Sequence, residues 1–331
     1  MAPSEATSVL STQKLVPASA ARPTLKNILL DFIAGKPGFG MKQADADRLS
    51  SSLAAFVSEP QFNDAAEPPA DPAQTRISIV MPSYNQAAFL ERAILSVLNQ
   101  DYSNLQFVVM DGGSTDRSVE ILRRYERHLT WRSEPDRGQS HALNKAIRMA
   151  DGELIGWLNS DDVYFPRALM KVDNAARLHP EAVVYSGMSA IVDECERVAQ
   201  VPRIGHPSLR NLLYAGFGMA SQAVFWRREI GGSTPLLNDN LDFAMDFDLW
   251  LTLLSLGRGA FVPHLLGALR FYKGTKTAEH PECGLAEVHG LRARYGVDDA
   301  TANWRRRRNL SFALCVARHL AAPRRDFSSA V

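Results

Sequence analysis

The chain has 331 residues, enough for one large domain or two smaller ones with a full hydrophobic core. Its 37 Lys and Arg residues balance 36 Asp and Glu residues, so overall charge gives no reason to expect a nucleic acid partner. Cys195, Cys283 and Cys315 lie far apart, which argues against a disulfide framework or a zinc site and favours a reducing, cytoplasmic compartment. No run approaches the roughly 20 apolar residues of a membrane helix.

Residues 1–75 are predicted to form a loose tail, two short helices and a proline-rich linker. The first helix would begin near Thr24 and end at Gly35. The second helix would bury one apolar face, formed by Leu49, Leu53, Phe56 and Val57. The core domain is predicted to start after the linker.

From Arg76 onward, short apolar runs alternate with runs whose apolar residues recur at helical spacing. The runs predict strands at residues 77–81, 105–110, 129–132 and 154–158, and helices at 87–100, 117–127 and 139–149. Pro82 is predicted to stop the first strand. This alternation implies right-handed crossovers and an α/β fold with a mostly parallel sheet, flanked by helices on both faces.

A polar cluster follows each of these predicted strands. The clusters are Ser83, Tyr84 and Asn85, then residues 111–116, then residues 134–138, and finally Asp161 and Asp162. Ligands of parallel α/β sheets bind beyond the carboxyl ends of the strands. We therefore expect the clusters to lie at one edge of the sheet and to form one site.

The second cluster reads Asp-Gly-Gly-Ser-Thr-Asp, from Asp111 to Asp116. Its two glycines permit a tight turn and the close approach of a ligand, and the following polar residues can cap the next helix. A nucleotide base or a ribose could bind there. The alternative is an ordinary turn between a strand and a helix.

Asp161 and Asp162 end the fourth predicted strand, so at least one carboxylate is expected to face the crevice above the sheet. Paired carboxylates there suit Mg²⁺ or Mn²⁺, which keeps its other positions for water and substrate phosphates. The alternative is a helix N-cap, which needs only one of the two residues.

In order and spacing, these motifs resemble those of the family 2 glycosyltransferases, over residues 77–277. The resemblance rests on residues 82–85, 111–116, 134–138 with Ala142 and Asn144, and 157–162. It implies a GT-A fold with a nucleotide-sugar-binding half at residues 76–190 and an acceptor-binding half at residues 191–290. A basic helical segment would follow at residues 291–331.

The resemblance also implies roles for individual residues. Donor binding would fall to Pro82, Ser83, Tyr84, Asn85, Asp111, Gly112, Arg137, Gly138, Asn144 and Asp161. Asp162 would hold the metal, and Asp246 would be the general base. An acidic helix start that complements the macrodipole is the alternative for Asp246, although Asp248 could fill that role instead.

The chain departs from the family pattern at two positions. Gly112 stands where many members have a second Asp that contacts a uracil base, so the resemblance does not fix a uridine donor. Tyr272 stands where relatives often have His, sometimes beside the metal. Metal coordination is therefore expected to be weaker or to depend more on diphosphate oxygens.

The implied activity is inverting transfer of a sugar from a nucleoside-diphosphate sugar to a hydroxyl of a glycan, polysaccharide or lipid-linked saccharide. One alternative is a sugar nucleotidyltransferase, although the Gly-rich basic loop it needs after the first strand is replaced here by residues 82–85. Another alternative is a non-catalytic nucleotide-binding interaction module.

Two features in the second half of the sequence can each be interpreted in two ways. Residues 305–322, basic and then apolar, could contact the inner face of a membrane peripherally or pack on the domain as a solvated helix. Six residues could contact sugar or fill the core, namely Phe217, Gly218, Ser221, Gln222, Trp226 and Trp250.

Overall fold

The computed structural model describes residues 41, 43–62, 70–202, 206–215 and 218–297. The predicted helix near residues 24–35, the linker residues Pro68 and Pro69, Phe217 and the basic segment at 305–322 lie outside the described residues. Among the helices that are described, none is both long enough and apolar enough to cross a bilayer.

Helices and strands alternate through most of this part of the chain. Helices α1 to α9 span Gln43–Phe56, Leu90–Leu98, Ser118–Arg124, Gln139–Met149, Ala168–Leu178, Leu209–Ala215, Met245–Leu256, Lys276–Glu279 and Pro281–Arg294. Strands β1 to β9 span Ile77–Ser83, Leu105–Asp111, Thr130–Ser133, Leu154–Trp157, Val163–Tyr164, Ala182–Val192, Val198–Gln200, Val224–Arg227 and Arg258–Arg270. The elements predicted between residues 77 and 158 are confirmed, with ends that differ by at most three residues.

The strands form one sheet in the order β3-β2-β1-β4-β8-β6-β9-β5, and β7 pairs with β6. The first half of the sheet is parallel. Strand β1 runs parallel to both β2 and β4, and β2 runs parallel to β3. The direction reverses at β8, which is antiparallel to both β4 and β6. The predicted parallel sheet thus forms the half that precedes this reversal.

Pro82 lies within β1, so the prediction that it stops the strand is wrong. The strand stays paired with β2 at this point, where Pro82 lies opposite Met110. On the other side, pairing with β4 ends at Val80, whose carbonyl accepts from the Leu158 amide at 3.1 Å. A backbone N–H at position 82 would point to the β4 side of the strand, beyond the last residue of β4. Proline lacks this N–H, so its presence removes no hydrogen bond between the two strands.

Helices cover both faces of the sheet, as predicted. Helices α2, α3 and α5 pack on one face, and α4, α6, α7 and α9 pack on the other. Helix α1 buries Leu49, Leu53 and Phe56 against β5, β6, β7 and β9. Burial of this apolar area is the main force that holds the elements together.

A close approach across the middle of the sheet explains Gly156 in β4. A Cβ atom there would lie 2.5 Å from Phe225 Cε1 and 2.8 Å from Ile79 Cδ1. Gly156→Ala should therefore lower the free energy of unfolding by about 1–3 kcal/mol through overpacking, measured by urea denaturation.

Gly290→Ala in α9 is the matched control, because no atom lies within 4 Å of its added Cβ. Alanine favours a helix over glycine, so this variant should be more stable by about 0.5–1 kcal/mol. Equal destabilisation by both substitutions would contradict the packing argument.

Candidate active site

The loop after β1 is bound to the turn after β2 by several hydrogen bonds. The Asn85 Oδ1 atom accepts from the Thr115 amide at 2.8 Å, and the Asn85 amide donates to Ser114 Oγ at 2.8 Å. Asp116 Oδ2 accepts from the Ala87 amide at 2.9 Å. Asn85 has a φ of 52°, a left-handed conformation that Asn tolerates. The first two predicted clusters thus form one continuous surface, with the Asn85 side chain bonded inside it.

Asp111 holds the turn together from within. The residue is 1% exposed, and its carboxylate accepts from the Gly113 and Ser114 amides at 3.1 and 2.9 Å. It also accepts from Ser114 Oγ at 2.5 Å and from Ser133 Oγ at 2.6 Å. Both oxygens of the Asp111 carboxylate accept hydrogen bonds from the protein. A ligand at this turn would therefore contact the neighbouring residues and not Asp111.

Tyr84 and Ser83 offer polar and aromatic groups beside this turn. The Tyr84 side chain is 60% exposed, and its ring lies 3.3 Å from the position of a Cβ on Gly112. Ser83 Oγ is buried and has no hydrogen-bond partner among the described residues. A buried hydroxyl without a partner is rare and needs an explanation, for which a bound ligand is one candidate.

Asp161 and Asp162 differ in a way that the sequence did not predict. Asp162 is 1% exposed, and its two oxygens accept from the Arg270 amide at 2.8 Å and from Asn159 Nδ2 at 3.2 Å. Asp161 is partly exposed. The chain enters strand β5 directly after Asp162, so the helix N-cap alternative is wrong. Of the two carboxylates, Asp161 is the one that solvent and ligands can reach.

The carboxylate pair has the chemistry of a divalent metal site. Burial raises the pKa of Asp161 and Asp162, and the negative charge of Asp161 raises that of Asp162 further. A cation would offset this penalty. No group of three or more His, Cys, Asp or Glu residues suited to a metal occurs in the part of the chain that is described. The donor set therefore fits an ion such as Mg²⁺ that one or two carboxylates share with water and phosphate oxygens.

Tyr272 contacts the accessible carboxylate. Its hydroxyl donates to Asp161 Oδ2 at 3.3 Å, and its ring packs on Phe89 with centroids 4.9 Å apart. The second departure from the family pattern is thus located beside Asp161. A tyrosine hydroxyl is a much weaker metal ligand than a histidine nitrogen, and here it donates a hydrogen bond instead.

Arg270 supports the loop that carries Asp161. This arginine is 1% exposed, and its guanidinium donates to the Asp161 carbonyl at 2.7 Å and to Glu196 Oε1 at 2.7 Å. It also lies 4.6 Å above the Phe89 ring. Glu196 is itself buried and accepts from Arg92 Nη1 at 3.0 Å. Sequence analysis missed this network, because no motif marks either residue as buried.

Asn144 and Arg137 meet at the loop that precedes α7. The Asn144 amide group donates to the Leu237 carbonyl at 2.9 Å and to Asp239 Oδ1 at 2.6 Å, and its oxygen accepts from the Leu237 amide at 2.8 Å. Arg137 Nη2 donates to Asp239 Oδ2 at 3.1 Å. Gly138 follows with a φ of 109°, which favours glycine, and leads into α4. Asn144 therefore positions this loop and Arg137 through Asp239.

Asp246 and Asp248 share the first turn of α7 but have different surroundings. Asp248 forms a salt bridge with Arg294. Asp246 is partly exposed, and burial raises its pKa to about 6, with a further contribution from the negative charge of Glu287. The Glu287 carboxylate accepts from the amides of residues 242, 243 and 244, at 2.7 to 3.0 Å. Glu287, which sequence analysis also missed, fixes the segment that leads to Asp246.

The tryptophans of the second half belong to the core. Trp226 and Trp250 are 0% and 1% exposed, and their rings lie 5.5 Å apart. Gln222 is also buried and donates to Ser189 Oγ at 2.6 Å. Of the two interpretations of these residues, core packing is confirmed.

Comparison with known proteins relates the chain to one family of enzymes. The model of "Glycosyl transferase family 2" matches residues 78–230. An uncharacterized glycosyltransferase from Rickettsia conorii is 26% identical over 226 residues, which cover 63% of this chain and 36% of that protein. Chondroitin synthase from Escherichia coli is 29% identical over 188 residues, which cover 55% of this chain and 27% of that protein. The chain thus spans about a third of the first relative, 36%, and about a quarter of the second, 27%.

The fold is similar to that of a solved glycosyltransferase structure. S. aureus TarS 1-349, in complex with UDP-GlcNAc, aligns with a TM-score of 0.53 and 18% identity, over 76% of this chain and 74% of that chain. This likeness agrees with the predicted GT-A type of α/β fold. The match over residues 78–230, the names of the relatives and the shared fold all relate the chain to glycosyl transferase family 2, as its motifs predict.

Proposed function

We propose that this chain transfers a sugar from a nucleoside-diphosphate sugar to a hydroxyl of a saccharide acceptor, with inversion at the anomeric carbon. The observation that carries the proposal is Asp161, an accessible carboxylate in the loop that follows β4, within the residues that match the family 2 model. Support for a nucleotide-sugar donor comes from TarS, which shares the fold and binds UDP-GlcNAc. Chondroitin synthase is a relative of this chain, and its name supports a saccharide acceptor.

The donor would bind across the carboxyl ends of β1, β2 and β4. Mg²⁺ or Mn²⁺, held by Asp161, would supply Lewis-acid stabilisation of the leaving diphosphate. This assignment replaces the expected contact at Asp162, whose buried oxygens accept from Arg270 and Asn159 instead. Asp162 acts by fixing the loop, and Arg137 adds a positive charge near the site.

Asp246 would act as the general base. A catalytic base works best when its pKa lies near the working pH, and the raised pKa of about 6 satisfies this condition. Its carboxylate would take the proton of the acceptor hydroxyl while that oxygen bonds to the anomeric carbon and the bond to the diphosphate breaks. One such displacement inverts the configuration of the anomeric carbon.

A metal titration can distinguish the roles of the two carboxylates in the loop between β4 and β5. We expect Mn²⁺ to increase nucleoside diphosphate release from a donor panel in the wild type, and Asp161→Asn to abolish this response. Asp162→Asn should keep a metal response. Asp151→Asn is a surface control, because its side chain is 57% exposed and pairs with Arg76.

An unchanged metal response in Asp161→Asn would refute the metal assignment. Donor binding without any release, in the wild type with every metal and donor tested, would instead support the non-catalytic interaction module.

The pH profile tests the base independently. Asp246 is ionised only above its pKa of about 6, so kcat should fall on the acid side of this value. Because the charge of Glu287 raises the pKa of Asp246, Glu287→Gln should move the acid limb of the profile to lower pH. A limb that stays in place or moves to higher pH in this variant would contradict the assignment.

A further inference from the structure

Asp136 fills the space that a side chain on Gly112 would occupy. A Cβ atom on Gly112 would lie 2.7 Å from Asp136 Oδ2 and 3.3 Å from the Tyr84 ring. The carboxylate and the aromatic ring thus converge on the same glycine, at the turn that follows β2. Asp136 itself comes from the loop after β3, some distance away along the chain.

The Asp136 carboxylate is fixed in this position. Its Oδ1 atom accepts from the Gly138 amide at 2.8 Å, which leaves Oδ2 directed at the space above Gly112. The preceding Pro135 stiffens the loop, and its nitrogen lies 3.4 Å from the position of a Cβ on Gly113. The loop therefore packs closely on the turn and presents one carboxylate oxygen beside the exposed Tyr84 ring.

An exposed aromatic ring beside a fixed carboxylate is suited to a nucleobase. Bases stack on aromatic side chains whatever their identity, so Tyr84 would give affinity without selecting a base. A carboxylate only accepts hydrogen bonds, so it favours bases with a ring N–H on the pairing edge. Uracil and guanine have such a group. Cytosine and adenine have an amino donor, but the unprotonated ring nitrogen beside it repels a carboxylate, so their hydrogen bond to Asp136 would be weaker.

We propose that Asp136 reads the base of the donor nucleotide and selects uracil or guanine over cytosine and adenine, with Tyr84 as the stacking surface. The proposal rests on the proposed function, because it assumes that a nucleotide binds at this edge of the sheet. It gives Asp136 a role that Asp111 does not fill, since the Asp111 oxygens accept from the turn and from Ser133.

Calorimetric titration of the full chain with UDP, GDP, CDP and ADP, each with Mg²⁺, tests the proposal. The wild type should bind UDP or GDP most tightly. Asp136→Asn should weaken binding of that nucleotide by about 10- to 100-fold, the range for a lost hydrogen bond to a charged group, and should not weaken CDP or ADP. Asp151→Asn changes an exposed carboxylate that pairs with Arg76, and should leave all four affinities unchanged.

A second variant tests whether Oδ2 acts from the place that the structure gives it. Gly112→Ala should displace the Asp136 side chain and weaken the preferred nucleotide, because its Cβ would lie 2.7 Å from Oδ2. The same substitution in the Asp136→Asn background should add little, because both changes remove one interaction.

Three results would overturn the proposal while leaving the proposed function intact: tightest wild-type binding of CDP or ADP, equal weakening of all four nucleotides by Asp136→Asn, or no weakening at all. Failure of the wild type to bind any of the four nucleotides would overturn both.

Discussion

Asp246→Asn is expected to lower kcat by about 10²- to 10⁴-fold, equivalent to about 3–5 kcal/mol of barrier, and to leave donor affinity unchanged. The amide keeps the size of the side chain but cannot accept the proton of the acceptor hydroxyl. The substitution removes a carboxylate that burial already disfavours, so it should not destabilise the fold. Steady-state kinetics with a saturating donor would measure the loss.

Asp248→Asn is the matched control for this variant. It changes the same residue type in the same turn of α7, but Asp248 pairs with Arg294 and has no part in the proposed chemistry. We expect near-normal kcat and a small loss of stability. Equal loss of turnover in both variants would show that the helix start, and not the base, was disturbed.

Arg270→Met is expected to lower the free energy of unfolding by about 3–5 kcal/mol, because it leaves a buried carboxylate without its buried partner. Arg270 is 0% exposed at its side chain, and Glu196 is 4% exposed. The substitution also removes donors from the carbonyls of Asp161, Asp193 and Glu194. Urea denaturation followed by circular dichroism would measure the change.

Arg92→Met provides the comparison, because Arg92 pairs with the same Glu196 but is 44% exposed. Water can replace this partner, so the expected loss is below about 1 kcal/mol. Similar losses from both variants would mean that burial of Arg270 does not determine the strength of its ion pair.

The parallel half of the fold could be predicted from sequence because each of its elements carries a local signal. Strand β1 is an apolar run that is buried throughout, and α4 shows helical spacing of its apolar residues over its observed length, Gln139–Met149. The residue that misled the prediction was Pro82, since sequence alone does not tell which side of a strand remains unpaired.

The second half could not be predicted, because its pairing is not local. Strand β5 has two residues and is defined by its contact with β9, where Val163 lies opposite Ala268, about a hundred positions along the chain. Arg270 reads as a surface residue in the sequence. It is buried because Glu196 and three carbonyls from distant loops surround it.

The positions of the polar clusters could be predicted from the sequence, whereas the contacts of their side chains could be predicted only in part. The four polar clusters follow strands that end at one edge of the sheet, as their positions implied. The sequence could not separate Asp161 from Asp162, because it does not show which carboxylate the Arg270 amide and Asn159 will bond to. Asn144 matched a motif residue, yet its amide group bonds to the loop at Leu237 and Asp239.

The central claim is a single inverting displacement with Asp246 as the base. The most direct test is a proton NMR time course of the protein with an α-linked nucleotide sugar, in buffer that contains Mg²⁺ and no Mn²⁺. Hydrolysis in the absence of acceptor reports the same displacement, with water as the nucleophile. The proposed single displacement predicts release of nucleoside diphosphate and a β-configured sugar as the first product, both lost in Asp246→Asn. A first product with retained α configuration, or no cleavage of any donor, would contradict it.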